Sequence, residues 1–534
     1  MASLPSHSKF QLKSKPESPP QDPPAVPQSR LESLPDELLV QIVKDVDHED
    51  IQSFARCCPK IWKVAGKAFE IHKRRRKYYT VQLGSLSGFS GTSIRPVDIL
   101  RDILTDDGLA IYPKRMVITT LRPGQASRGE VDPLDPLFLP EQEEKIRSLL
   151  QESRYFSDSW YDLIAKQKHT LFTTSLLLSL LPNLRAIELC DQERDMPYYS
   201  TTAHAVARAS RVNWISTRQG TKKPGSRRAY DWGPKTSHAL SNLTELCIYS
   251  SEGTHQDFGV ISRWAWLPSL RSIRGKGLHS FKDRGRLVDP RVPSLQSDVT
   301  SLELDDCMVR GEDIKVLLES IKGLKTFKYH CGVPDTLEGS RRISKLGEEQ
   351  WNPRGVVEVL STYASHSLVT LDVTTTGNPI FIHGDRLAGR IFVGSLRRFH
   401  LLRKLRADIM IFIESPLENL ITKYAQIYRE DSHEELVRRI QKTEKPSTDH
   451  VHLLVDLLPA SLEELVLCSM HFDDGYEVDG LFRNALALKA QRVPLLTKIV
   501  FEDIPRISQD MMETWKHMGV QMYWQIPLPV PGGA

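Results

Sequence analysis

Apolar residues recur along most of this chain in one short pattern: two of them three places apart, then a third two places on. It is read at Leu184-x-x-Ile187-x-Leu189, Leu243-x-x-Leu246-x-Ile248, Val299-x-x-Leu302-x-Leu304, Leu324-x-x-Phe327-x-Tyr329 and Leu368-x-x-Leu371-x-Val373. It returns at Leu462-x-x-Leu465-x-Leu467 and Leu496-x-x-Ile499-x-Phe501, with shorter forms at Leu270-x-x-Ile273 and Leu402-x-x-Leu405. Alternation in the last three positions places two apolar side chains on one face of a short strand. Helical patterns lie between copies, as from Asp313 to Ser320 and from Pro353 to Ala364. The steps between first apolar residues are 59, 27, 29, 25, 44, 34, 60 and 34. Several fall near the ~20–29 residues of a strand-plus-helix repeat, and the two longest are about double, as if a unit were missed or an insertion present. Units of this kind bury their faces only against neighbours, so residues 168–526 are expected to form an uneven, mostly parallel α/β solenoid.

The flanking patterns differ. Pro35 suits the start of a helix, where its missing N–H is not needed. Leu38, Leu39, Ile42, Val43 and Val46 then make one apolar face, and Ile51, Phe54, Cys58, Ile61, Val64 and Ala65 follow the acidic break Asp47 to Asp50. Residues 30–77 thus read as a small all-helical unit with more apolar side chains than it can bury alone, which implies a partner. In residues 78–167, a linker and irregular first repeat, strands are expected at Tyr79 to Leu83 and Met116 to Leu121. Helices are expected from Val97 to Leu104, Glu141 to Leu150 and Asp158 to Gln167. A helix from Ile507 to His517 and a strand Val520-x-Met522-x-Trp524 fit a C-terminal cap. Residues 1–29, with seven prolines, and residues 527–534 read as disordered tails.

Leu34-Pro35-x-Glu37-Leu38-Leu39-x-x-Ile42, then Asp50-Ile51, Cys58 and Val64-Ala65, resembles the F-box, the motif that docks a protein on a Skp-type adaptor and through it on a cullin. The resemblance covers about residues 32–70. It implies that Leu34, Pro35, Leu38, Leu39, Ile42, Ile51, Phe54 and Cys58 anchor the adaptor, with Trp62 a possible addition. Some of these must instead hold the unit together, and sequence does not separate the two groups. One position departs from the pattern: Ile61 stands where Trp or Phe is usual, and Trp62 follows. Either the helix rotates or Trp62 serves from the next place. The extension from Phe69 to Tyr79 looks like F-box proteins of filamentous fungi, and the later repeats are leucine-rich-repeat-like. The implied function is a non-catalytic substrate receptor of a Skp–cullin–F-box ubiquitin ligase. An F-box scaffold without a role in ubiquitination is the alternative.

Composition narrows the picture modestly. The chain has 534 residues, 40% hydrophobic and 26% charged, with a net charge of +4. Seven cysteines without paired spacing, and no apolar leader in the first 30 residues, suit a reduced, intracellular protein of cytoplasm or nucleus. The longest apolar run, Leu171 to Leu181, is too short to span a bilayer. No cofactor or metal is expected, since no zinc-ligand spacing or hydrolase motif occurs. The glycines of Gly220 to Gly225 are followed by Ser226 where a phosphate-binding loop needs lysine. His330-Cys331 are neighbours on an expected strand and so point to opposite faces.

Charge is uneven. From Arg208 to Arg291 there are sixteen Lys/Arg against six Asp/Glu, a balance of +10. Arg218, Lys222, Lys223, Arg227, Arg228, Arg271, Arg274 and Lys276 are the candidates for holding an acidic or phosphorylated client segment. Interleaved Tyr230, Trp232, Trp264 and Trp266 leave nucleic-acid binding open as a lesser reading, and a plainly solvated loop fits the same residues.

Overall fold

The first residue of each repeated pattern anchors a strand. In the computed structural model Leu184, Leu243, Leu270, Val299, Leu324, Leu368, Leu402, Leu462 and Leu496 are all at most 1% exposed. The structure describes residues 31, 33–46, 48–83, 94–119, 138–153, 161–162, 164, 170–191, 240–250, 256–265, 267, 269–280, 297–332, 352–375, 393–412, 454–468, 482, 485–502 and 509–525. The chain divides into two compact units, Met1–Lys77 and Tyr78–Ala534.

Among its described residues the first unit contains three helices, α1 (Asp36–Asp45), α2 (Ile51–Ala55) and α3 (Pro59–Arg76). Their core is Leu39, Val43, Ala55, Cys58, Ile61 and Ala65. The last turn of α3 carries Lys73 to Arg76, where positive charge complements the C-terminal end of the helix dipole.

The second unit is an α/β, solenoid-like fold built on one twelve-stranded sheet. Its strands are β1 (Thr80–Leu83), β2 (Arg115–Thr119), β3 (Ala186–Asp191), β4 (Glu245–Ser250), β6 (Ser272–Lys276), β8 (Ser301–Cys307) and β9 (Thr326–Cys331). They continue with β10 (Thr370–Thr375), β11 (Lys404–Asp408), β12 (Glu464–Cys468), β13 (Lys498–Glu502) and β14 (Gln521–Gln525). Order in the sheet follows order in the chain, and every neighbouring pair is parallel. A separate two-stranded sheet joins β5 (Gln256–Asp257) to β7 (Leu278–His279). All nine patterns therefore lie on consecutive strands of the main sheet.

The two long steps resolve as insertions. β3 pairs directly with β4, and β11 with β12, so no unit of the sheet lies inside the steps of 59 and 60 residues.

Register explains the pattern. Met116, Ile187, Leu246, Ile273, Leu302, Phe327, Leu371, Leu405, Leu465 and Ile499 form one continuous inward row. Leu177, Ile314, Leu317, Val356, Leu360 and Trp515 from the intervening helices join the same core. β6 lacks its third apolar residue because Gly275 stands there. A Cβ on Gly275 would come within 2.4 Å of Leu278, which fills the space after the chain turns at Gly277 (φ +68). The apolar helix Thr170–Ser179 is buried on several sides, since Leu177 and Leu178 join the main core while Leu176 joins a second one. That second core gathers Val97, Leu100 and Leu104 from Pro96–Thr105 and Ile146 and Leu150 from Pro140–Ser153.

Backbone pairing at the strand starts is equally regular. The Arg185 carbonyl accepts N–H groups of Thr244 and Glu245 at 2.8 and 3.0 Å, and the same fork recurs at Tyr79, Lys114, Thr244, Arg271, Thr300, Lys325, Val369, Arg403 and Glu463. A short polar side chain often ties a unit to the one before it. Asn183 Nδ2 donates to Ile111 O, Asn242 Nδ2 to Pro182 O and Ser367 Oγ to Leu324 O, each at 2.9 Å. Ser461 Oγ reaches Leu402 O at 2.8 Å. Mixed Asn and Ser thus fill the place of a regular asparagine ladder.

The expected helix from Asp158 to Gln167 lies almost wholly outside the described residues, as do both tails. The expected C-terminal helix and strand are present as Gln509–His517 and β14.

Candidate functional site

In the first unit, burial sorts the candidate adaptor contacts. Leu39 is fully buried, and Cys58 is the N-cap of α3, its Sγ accepting the Ile61 N–H at 3.4 Å. Both side chains belong to the core of the first unit. Leu34 and Phe54 pack partly against the same core, and Ile42 and Ile51 are half-buried. Pro35 is exposed, while Leu38 and Trp62 each keep 49% of their surface in solvent and Val40 keeps 40%. Lys60 ties the helices together at this end, donating to Leu34 O at 2.5 Å and pairing with Asp36 at 3.5 Å. The Trp62 ring leans on Phe69, centroids 5.0 Å apart. Ile61 is buried in the unit's core, and Trp62, the next residue, is half exposed.

In the second unit, the residues between the inward ones form an outward face. Across neighbouring strands its middle row reads Arg274, Glu303, Lys328, Asp372 and Arg406, alternating in sign. At its centre Arg406 donates through Nε and Nη2 to Glu502 at 3.0 and 2.8 Å, and through Nη1 to Asp372 at 3.4 Å. His330 bridges Asp305 (Nδ1, 3.4 Å) and Asp372 (Nε2, 3.0 Å). Burial opposes charge on this imidazole, but its hydrogen bonds to Asp305 and Asp372 outweigh that and raise its pKa to about 9. Beside it Asp408 is buried, and desolvation lifts its carboxyl to about 7 although the Thr375 N–H donates to it at 2.9 Å.

These residues escaped sequence reasoning because Asp372 and Glu502 lie 34 and 96 positions from Arg406. For Asp372 and Arg406 the usable signal was the residue between the second and third apolar positions of the pattern, which lies on the outward face.

The basic candidates divide. Arg218, Lys222, Lys223, Arg227 and Arg228 lie outside the described residues. Arg271, at the start of β6, pairs with Asp298 at 3.3 Å; Arg274 pairs with Glu303 at 3.5 Å and Lys276 with Asp305 at 3.8 Å. Each is exposed, yet β8 or the segment just before it supplies an acid opposite. The middle of the outward face is therefore charge-paired rather than uniformly basic.

Nucleophilic chemistry finds little footing. Burial pushes the Cys190 thiol up to about 11 and Cys307 to about 12, and Cys331 and Cys468 rise as well. His330 faces outward while Cys331 is buried in the core. Among the described residues no cluster of three His, Cys, Asp or Glu is placed to hold a metal ion. No described helix is long and apolar enough to cross a membrane.

No family model matches the chain, and no curated protein matches it either. Among solved structures it is similar to the crystal structure of the Rad7 and Elc1 complex in yeast, at 13% identity over 91% of this chain and 92% of that chain. The TM-score is 0.28, a likeness too loose to carry an argument.

Proposed function

We propose that this chain is a non-catalytic receptor of a Skp–cullin–F-box ubiquitin ligase, its first unit docking a Skp-type adaptor and its second holding a client. The observation that carries the reading is the pair Leu38 and Trp62. Both belong to a unit with its own packed core, and both remain half in solvent. Fully burying a large apolar side chain is worth about 1.5–3 kcal/mol, and the half of each left in solvent is what a partner surface recovers. The spaced agreement of residues 34–65 with the F-box pattern supports a Skp-type adaptor as that partner. Thiols held neutral by burial fit a chain that contributes position rather than bond-making. Its contribution would be proximity: a client held near a charged conjugating enzyme reacts as if concentrated.

The test is co-purification of the tagged full chain with a Skp-type adaptor, wild type beside Leu38→Ala/Trp62→Ala. Stoichiometric adaptor on the wild type, lost from a variant with unchanged melting, is the expected result. Absence of adaptor from the wild type would sink the F-box reading. Proteasome inhibition then separates a ligase from a scaffold, because only a ligase's bound client should accumulate.

A further inference from the structure

The regular start of the strands creates a groove distinct from the charge-paired middle of the sheet. Three successive strands begin with the triplets Asn183-Leu184-Arg185, Asn242-Leu243-Thr244 and Ser269-Leu270-Arg271. Their leucines point into the core, so their polar flanks line a shallow cavity of about 350 Å³. Arg185 and Arg271 stand two strands apart, with Thr244 between them, and Asn183, Ser241, Asn242 and Ser269 complete the wall.

Two properties of this cavity restrict what it can hold. First, every described residue lining it is Arg, Asn, Ser or Thr. No carboxylate and no apolar side chain is among these lining residues, which disfavours a cation or a greasy ligand. Second, the short side chains are fixed: Asn183 and Asn242 donate to Ile111 O and Pro182 O at 2.9 Å, and Ser269 to Leu240 O at 3.2 Å. The walls are built by the same contacts that join one unit to the next, so the cavity comes with the fold.

We propose that this groove takes a phosphoryl group borne by a client side chain, a reading that rests on the receptor function above. Two guanidinium-bearing residues flanking one threonine suit a phosphoryl group, whose oxygens accept bidentate hydrogen bonds from arginine and whose charge exceeds that of a carboxylate. Asp298 pairs with Arg271 from outside the cavity at 3.3 Å and is the internal competitor for that arginine. Nucleic acid is the weaker occupant, because a strand of bases needs stacking platforms. Among the described residues, an aromatic at a nearby strand start, Tyr79, is already covered by Lys114 Nζ at 4.6 Å from its ring centroid.

The test measures binding of the full chain to a degenerate phosphoserine peptide library and to its unphosphorylated counterpart. Wild type should prefer the phosphorylated library, and Arg185→Ala/Arg271→Ala should lose about tenfold or more of that affinity. Asp298→Asn should bind several-fold more tightly, a gain that misfolding cannot mimic, and inorganic phosphate should compete. No preference for phosphopeptide, or equal binding by the double-alanine variant, overturns the proposal. Tighter binding of a single-stranded oligonucleotide that is likewise lost in the variant would assign the groove to nucleic acid instead. Adaptor retention, measured on the same preparations, reports separately on the receptor reading. A chain that keeps its adaptor but ignores phosphopeptides loses only the groove.

Discussion

Asp408 and His330 are the two residues whose environments displace them furthest into the accessible pH range, and they act in opposite senses. An aspartate in an unfolded chain ionises near ~3.9, whereas desolvation holds the Asp408 carboxyl protonated to about 7. Between those values the folded state keeps a proton that the unfolded chain has released, so this site makes stability fall as pH rises, and the slope ends above about 7. His330 is raised to about 9, so its stabilising charge is fully present below ~6.5 and is lost as pH climbs through 9. The two windows barely overlap, which lets them be measured apart. Denaturant midpoints of Asp408→Asn should decline less than wild type between about pH 4 and about pH 7. Those of His330→Gln should start lower and converge on wild type by about pH 10. Identical slopes for Asp408→Asn and wild type would mean that the carboxyl is ionised throughout, against its burial beside Asp372.

At the scale of a single element, α1 shows what a sequence discloses and what it withholds. Its period marks an apolar face, and both Leu38 and Leu39 satisfy the F-box pattern, yet one is half exposed and the other fully buried. Only the packing of α3 against α1 decides between adjacent residues, and that packing is not local in sequence. Leu39→Ala should therefore cost the first unit about 2–5 kcal/mol through the cavity it leaves. Leu38→Ala should cost under about 1 kcal/mol, as surface changes do, while weakening adaptor retention. Circular dichroism melts read beside co-purification distinguish the two, and equal melting losses would contradict the placement of Leu38. The strands repeat the lesson. Their inward residues were legible because alternation is a property of one strand, whether Leu302, Phe327 or Leu371. The outward network of His330, Asp372, Arg406 and Glu502 was not, because lateral register across β9 to β13 brings it together. The basic candidates show the same gap: composition marked Arg274 and Lys276, but only register revealed Glu303 and Asp305 opposite them.

At the scale of the second unit, strand order that follows chain order makes the fold a sum of units and of contacts between neighbours. A long connection between adjacent strands is then a separable insertion. β3 and β4 pair along their whole length although residues 192–239 come between them, the stretch that contains Arg218, Lys222, Lys223, Arg227 and Arg228. A parallel crossover needs only about a dozen residues to return to the start of the next strand. Replacing residues 192–239 with about 15 Gly/Ser residues should therefore preserve the sheet. It should even stabilise it slightly, by about 1 kcal/mol, because a shorter loop closes at lower entropic cost. Amide exchange on β3 and β4 is the measurement, with protection expected to match wild type. If the segment instead supplied apolar surface to the core, its removal would expose neighbouring faces, and exchange there would rise together with a loss of several kcal/mol. The same variant separates two sources of anion binding. The groove of Arg185, Thr244 and Arg271 is wholly built from residues the replacement leaves in place, so its affinity for phosphopeptide should persist. Loss of that affinity from a chain whose sheet is intact would move the client site to the basic segment.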